Sequence, residues 1–152
     1  MDRAPNRELG LAILRVVLGV VYVTHGLPKL MGGHAATAGF LGQLGLPIPV
    51  LFAWIVTLLE TFGGLALIAG YLARPVALLF MVEMLVGIIL VHAKVGWYVI
   101  GPGTGGAEFN TVLIAALLAL VLAGPGLASV DGRRPPEPVT IGGERASVEE
   151  GV

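Results

Sequence analysis

Four long apolar stretches, separated by short polar or glycine-rich ones, set the pattern of this chain. The first covers residues 9–30 and is interrupted only by Arg15, His25, Pro28 and Lys29. The second, residues 50–73, contains one acidic position, Glu60. The third, residues 75–96, carries Glu83, His92 and Lys94, and the fourth covers residues 108–123. Each approaches the length of about 20 residues that a helix needs to cross a bilayer. The pattern therefore predicts an all-α protein, an integral membrane bundle of four transmembrane helices. In the first long connection, residues 32–49, the positions of Phe40, Leu41, Leu44 and Leu46 predict a short amphipathic helix at the membrane interface, stopped by Pro47 and Pro49. Residues 71–75 predict a tight hairpin, with Pro75 suited to the first turn of the third helix. Gly101, Pro102, Gly103, Gly105 and Gly106 make the third connection irregular, and Gly124-Pro125-Gly126 ends the fourth helix.

Basic residues orient the bundle. Arg3, Arg7, Arg74, Arg133, Arg134 and Arg145 fall on one side, and only Lys29 and Lys94 on the other, so both termini are expected in the cytoplasm. Trp54, Trp97 and Tyr98 would then mark the outer interface and Tyr71 the inner one. The domain reading is a cytoplasmic segment at 1–8, a transmembrane domain at 9–130 and a disordered cytoplasmic tail at 131–152, rich in proline, glycine and charge. The first apolar stretch reads as a retained helix, since it exceeds the roughly 7–15 residues of a signal-peptide core.

Composition narrows the function classes. With 12% charged residues and a mean hydropathy of +0.90, the chain lacks the charge that a water-facing surface carries, about 25% in soluble domains. A net charge of -1 without a basic stripe argues against a nucleic-acid partner. The absence of cysteine removes disulfides, thiolate metal sites and iron–sulfur ligation. No P-loop, Rossmann fingerprint, metal-spaced histidine cluster or paired nucleophile is present, so no metal site is expected and no intrinsic cofactor.

The chemistry must then lie in the few ionisable residues inside the apolar stretches. Each costs about 2.5–3.5 kcal/mol to insert and normally faces a partner in the bundle interior. At a step of about 100° per residue, Arg15, Gly19, Tyr22, Gly26 and Lys29 share one helix face. Glu60, Gly63, Gly64, Leu67 and Tyr71 share a second, and Glu83, Gly87, Leu90 and Lys94 a third. Counted at a rise of about 1.5 Å per residue, Arg15, Glu60 and Glu83 could meet near the midplane. Arg15, Tyr22, Lys29, Glu60 and Glu83 are the candidate ligand-binding cluster. The alternative is a structural ion pair of Arg15 with Glu60 or Glu83 that only fixes helix register. A second set, His25, His92, Lys94, Glu108 and Asn110, forms a candidate outer vestibule; the plainer reading is interfacial side chains without a ligand. His25 and His92 could ligate haem, but His92 lies about 180° from Glu83 by the same count. That leaves open whether it faces the bundle or lipid, and disfavours haem.

Several short motifs recur in a fixed order: Arg15 followed by Gly26-Leu27-Pro28-Lys29-Leu30, Phe40-Leu41 with Gly45-Leu46-Pro47, and Glu60 through Leu67. Gly70 with Arg74 follows, then Gly124-Pro125-Gly126 ahead of Ser129-Val130-Asp131. Together they resemble the DoxX family over roughly residues 9–131. The resemblance implies a four-helix protein of the bacterial or archaeal cytoplasmic membrane, with Arg15, Lys29 and Glu60 as functional positions. Related DoxD-type proteins are subunits of a thiosulfate:quinone oxidoreductase, and some members partner redox enzymes in oxidative-stress defence. The expected functions are therefore three. The first is a quinone-interacting or membrane-anchoring subunit of an oxidoreductase complex. The others are a non-catalytic scaffold that recruits a soluble redox enzyme, and a small transporter or proton pathway. The expected associates are the lipid bilayer, a bound quinone, a soluble redox enzyme or another oxidoreductase subunit, and a second copy of the chain.

Overall fold

The computed structural model describes residues 3–99 and 105–133. Among these the chain is all-helical. Helix α1 (Arg3–Pro28) begins inside the polar N-terminal segment, runs through the first apolar stretch and passes through a wide turn at Lys29–Gly33. Gly32, at φ 131°, kinks the path there and leads into α2 (His34–Gln43). The first connection thus holds a helix, but it is continuous with α1 and ends at Gln43, before Leu44 and Leu46, so the expected amphipathic face does not form. His34 at its start stacks on Trp54, with ring centroids 4.5 Å apart.

Helix α3 (Pro49–Leu58) continues through a π-helical turn, Leu59–Gly63, into α4 (Gly64–Ala69). It ends earlier than the apolar pattern suggested because Gly70 adopts φ 69°. The amides of Gly70 and Tyr71 turn back to the carbonyls of Leu67 and Ala66, at 3.0 and 2.9 Å. This is the arrangement in which a left-handed glycine closes a helix. Helix α5 (Ala73–Gly87) follows, then a second π-helical turn, Ile88–His92, and the single turn α6 (Ala93–Val95). Helix α7 (Glu108–Ala123) is the last long element, and Asp131–Arg133 form a 3-10 turn.

Three continuous stretches are long and apolar enough to cross a bilayer: Pro5–Gln43, Pro49–Ala69 and Ala73–Val95. Helix α7 is apolar but has only 16 residues, a length of about 24 Å at 1.5 Å per residue. Helix α1 packs on α4 and the Leu59–Gly63 turn, and α5 packs on α7. Glycines set the first contact. A Cβ on Gly19 would lie 2.6 Å from the Gly64 carbonyl oxygen, and one on Gly64 would lie 2.9 Å from that of Gly19. Small residues of this kind let membrane helices approach backbone to backbone. Tyr22, Leu67, Phe80, Leu117 and Leu120 fill the centre, with Tyr22 stacked on Phe80 at 3.5 Å. The outward faces stay apolar, with Ile13, Val17, Ile55, Val82, Ile89 and Val112 exposed. Buried small and polar residues inside and apolar residues outside are what a helical bundle presents to lipid.

The reading of the chain from Asp131 onward as a disordered tail requires a correction at its start. The Asp131 carboxylate accepts hydrogen bonds from the amides of Leu72 and Ala73, at 3.0 and 2.8 Å, and so caps the N-terminus of α5. Its own amide donates to the Gly70 carbonyl at 2.9 Å. Arg134, Arg145 and the rest of residues 134–152 lie outside the described residues, as does most of the glycine-rich connection at 100–104.

Candidate functional site

A cavity of about 300 Å³ opens between α1, the Leu59–Gly63 turn, α5 with its π-helical extension, and α7. Val21, Met84, Phe109 and Leu113 give it an apolar wall. Tyr22, His25, Glu60, His92 and Asn110 bring polar groups to the same space. Two of these, Glu60 and His92, sit in π-helical turns, which insert an extra residue and re-aim the side chains beyond them.

Behind Glu60 lies a compact polar cluster. The Lys29 ammonium makes an ion pair with Glu60 Oε2, and both side chains are largely buried. The Glu83 carboxyl lies in the electrostatic reach of both Glu60 and Lys29, and the Tyr22 hydroxyl lies in that of both carboxyls. Among the described residues neither the Tyr22 hydroxyl nor Glu83 Oε2 has a hydrogen-bond partner, although both atoms are buried. Such orphaned polar atoms are uncommon and ask for an explanation. Tyr22, Lys29, Glu60 and Glu83 thus assemble as their helical phase predicted.

Arg15 does not join them. Its guanidinium is buried at the opposite end of the bundle, where Nη1 donates to the carbonyls of Leu67 and Ile68, each at 3.1 Å. Nη2 donates to those of Leu127 and Ala128, at 3.3 and 3.4 Å. The predicted meeting of Arg15 with Glu60 or Glu83 is therefore corrected. Phase places Arg15 on the right face, but depth separates it from the carboxylates. Gly26 is the α1 residue that meets Glu60 and Thr61, and it lies 11 positions, about 16 Å, beyond Arg15. Arg15 instead satisfies the last carbonyls of α4, which a helix leaves without internal donors, and ties them to the loop after α7. Gly70 gives it room, since a Cβ there would collide with Arg15 Nη1.

The vestibule residues divide. His25 donates from Nδ1 to the Val21 carbonyl at 2.8 Å, His92 donates from Nδ1 to the Gly105 carbonyl, and both line the cavity. The extra residue of the Ile88–His92 turn displaces His92 by about one helical step from the α-helical count, which brings it inward. Asn110 is buried and donates from Nδ2 to the Met84 carbonyl at 3.4 Å, in space left by Gly87. Glu108 serves the backbone instead, accepting from the Val99 amide at 3.0 Å. Lys94 is exposed and does not line the cavity. The cavity walls Val21, Met84, Phe109 and Leu113 carried no mark in the sequence, being indistinguishable from core or lipid-facing residues. The capping role of Asp131 had a signal only in the Ser129-Val130-Asp131 motif.

Residues 10–93 match the DoxX family, more than half of the chain. This chain belongs to the DoxX family. Among curated relatives, the inner membrane protein YphA of Escherichia coli (strain K12) is 32% identical over 136 residues, covering 87% of this DoxX chain and 95% of YphA. A protein of Bacillus subtilis (strain 168) named "Putative oxidoreductase CatD" is 32% identical over 124 residues, covering 82% of the chain and 86% of CatD. The inner membrane protein YqjF of Escherichia coli (strain K12) is 29% identical, covering 82% and 91%. No solved structure matches the chain significantly. With its apolar helices and inner-membrane relatives, this DoxX chain is an integral membrane protein. The cavity spans the family match and the helix beyond it: Tyr22, His25, Glu60 and His92 lie within residues 10–93, Phe109 and Asn110 after them.

Proposed function

We propose that this DoxX protein holds a quinone head group in the cavity and acts as the quinone-interacting, membrane-anchoring subunit of an oxidoreductase complex. The observation that carries the reading is the cavity itself. It lies among apolar helices, and a few polar groups converge in an otherwise apolar wall, as in sites for small apolar ligands with polar ends. A buried polar atom without a partner among the described residues, the Tyr22 hydroxyl, stands at its polar side. The name of CatD lends support. A chain without cysteine has no thiol couple of its own, so electrons are exchanged with a separate subunit bearing a flavin, metal or thiol centre. The protein crosses the membrane four times, with Arg7 and Arg74 on the cytoplasmic side under the positive-inside rule and the cavity toward the outer leaflet. The short α7 is accommodated by local thinning of the bilayer.

The test is purification in mild detergent, followed by a spectrum from 250 to 700 nm and mass spectrometry of extracted lipids. Near-stoichiometric quinone, or saturable uptake of added menadione, is expected. Folded protein that neither carries nor takes up quinone would sink the proposal, and a Soret band would assign His25 and His92 to haem instead. The scaffold reading draws on the use of Arg15, whose buried charge is spent on four backbone carbonyls. Under it, Glu60→Gln and Tyr22→Phe proteins would still recruit a fully active partner enzyme.

A further inference from the structure

The hydrogen-bonding inventory of the cavity is lopsided. His25 and His92 each commit Nδ1–H to a backbone carbonyl, so the neutral imidazoles keep only a lone pair on Nε2. Glu60 presents a carboxylate already held by Lys29 and retains acceptor sites. Asn110 spends an Nδ2 hydrogen on the Met84 carbonyl. The Tyr22 hydroxyl and the second Nδ2 hydrogen of Asn110 are the uncommitted donors. Tyr22 is 2% exposed, lines the cavity and has no partner among the described residues.

A quinone offers two carbonyl acceptors and no donor, whereas its reduced form offers two hydroxyl donors. From this mismatch we infer that the cavity selects the reduced, dihydroxyaromatic form of its ligand. Hydroxyl hydrogens on the ligand satisfy the carboxylate and imidazole acceptors, and the Tyr22 hydroxyl can donate to a ligand oxygen. A quinone carbonyl facing the same acceptors would leave them unpaired, and sites built to pair with a hydroxyl discriminate strongly against analogues lacking it. The inference rests on the quinone-site reading and names the redox form that the site prefers. A tenfold preference for the reduced form raises the midpoint potential of the bound two-electron couple by about 30 mV.

The test compares menadione with menadiol, kept reduced under argon, by equilibrium dialysis against the purified full-length protein. Menadiol is expected to bind at least tenfold more tightly than menadione, and 1,4-dimethoxy-2-methylnaphthalene, which has lost both donors, no better than menadione. Glu60→Gln, which replaces the carboxylate lining the cavity with a group that also donates, is expected to narrow the ratio. Menadione binding as tightly as menadiol to the wild-type protein overturns this inference and leaves the quinone-site reading standing. Failure of all three to bind overturns both. The wild-type comparison decides the matter even where Glu60→Gln does not fold.

Discussion

Replacing Arg15 with methionine separates the two roles that a buried arginine in this family could have. Met matches the aliphatic stem of Arg and has a similar helix propensity. What disappears is a fork of donors at 3.1–3.4 Å from four carbonyls. The Leu67 carbonyl keeps the Gly70 amide at 3.0 Å, which leaves the Ile68, Leu127 and Ala128 carbonyls to lose their charged donor. A buried acceptor without a partner costs about 1–3 kcal/mol. These carbonyls lie near the end of the bundle, where water offsets part of the loss, so the low end applies and the sum is about 3 kcal/mol. At roughly 2–4 °C per kcal/mol for a chain of this size, the thermal midpoint in detergent falls by about 6–12 °C. Arg15→Lys, which keeps the charge but lacks the planar fork, falls in between. Fluorescence-detected size exclusion after heating gives the midpoints, and menadiol dialysis below the midpoint gives affinity. Affinity should stay within about twofold, because Arg15 sits about 16 Å along α1 from the residues that meet Glu60. An Arg15→Met protein of unchanged stability that has lost the ligand would refute this assignment.

Gly19→Val should prevent assembly or cost more than about 3 kcal/mol, since its Cβ would sit 2.6 Å from a backbone oxygen of α4. Gly10→Ala, with nothing within 4 Å, should be neutral or stabilise by up to about 1 kcal/mol; heating curves of the two report the contrast. Asp131→Ala removes the acceptor of the Leu72 and Ala73 amides and should cost about 0.5–2 kcal/mol, with Asp131→Asn recovering only part of it in the same assay, since it keeps one acceptor oxygen of two. Lys29→Met leaves the Glu60 carboxylate without its cation and should destabilise by about 3–5 kcal/mol. Adding Glu60→Gln should restore part of that, and additive losses in the double-mutant cycle would show that the two side chains are not coupled.

What the sequence made legible was periodic. The apolar stretches marked the helices, and the 100° count put Tyr22, Lys29, Glu60 and Glu83 on facing stripes beside the glycines that bring their helices together. Depth was not legible in the same way. The count says which way Arg15 points but not which turn of the second span lies opposite, and its partners are main-chain oxygens that every residue carries. Two local departures from the α-helix account for other differences. Gly70 stops α4 three residues before the apolar run ends, because a left-handed glycine and an arginine fit there together. The Ile88–His92 turn carries one residue more than the α-helical count allows and turns His92 into the cavity. Nothing distinguishes Phe109 or Leu113 from lipid-facing neighbours until α7 is laid against α5.

The Arg15 contacts also impose an order on synthesis. Arg15 precedes Leu67 by 52 residues and Leu127 by 112. At about 5–20 residues per second, the ribosome supplies the first of these carbonyls roughly 3–10 s after the arginine and the loop carbonyls roughly 6–22 s after it. During that interval the charged side chain of α1 has no protein partner, and snorkelling toward the headgroups is its available refuge. The last part of the described chain to emerge is therefore what draws the first helix into its final depth. A nascent chain stalled before Leu127 would leave a half-latched bundle for the cell's membrane quality control to find.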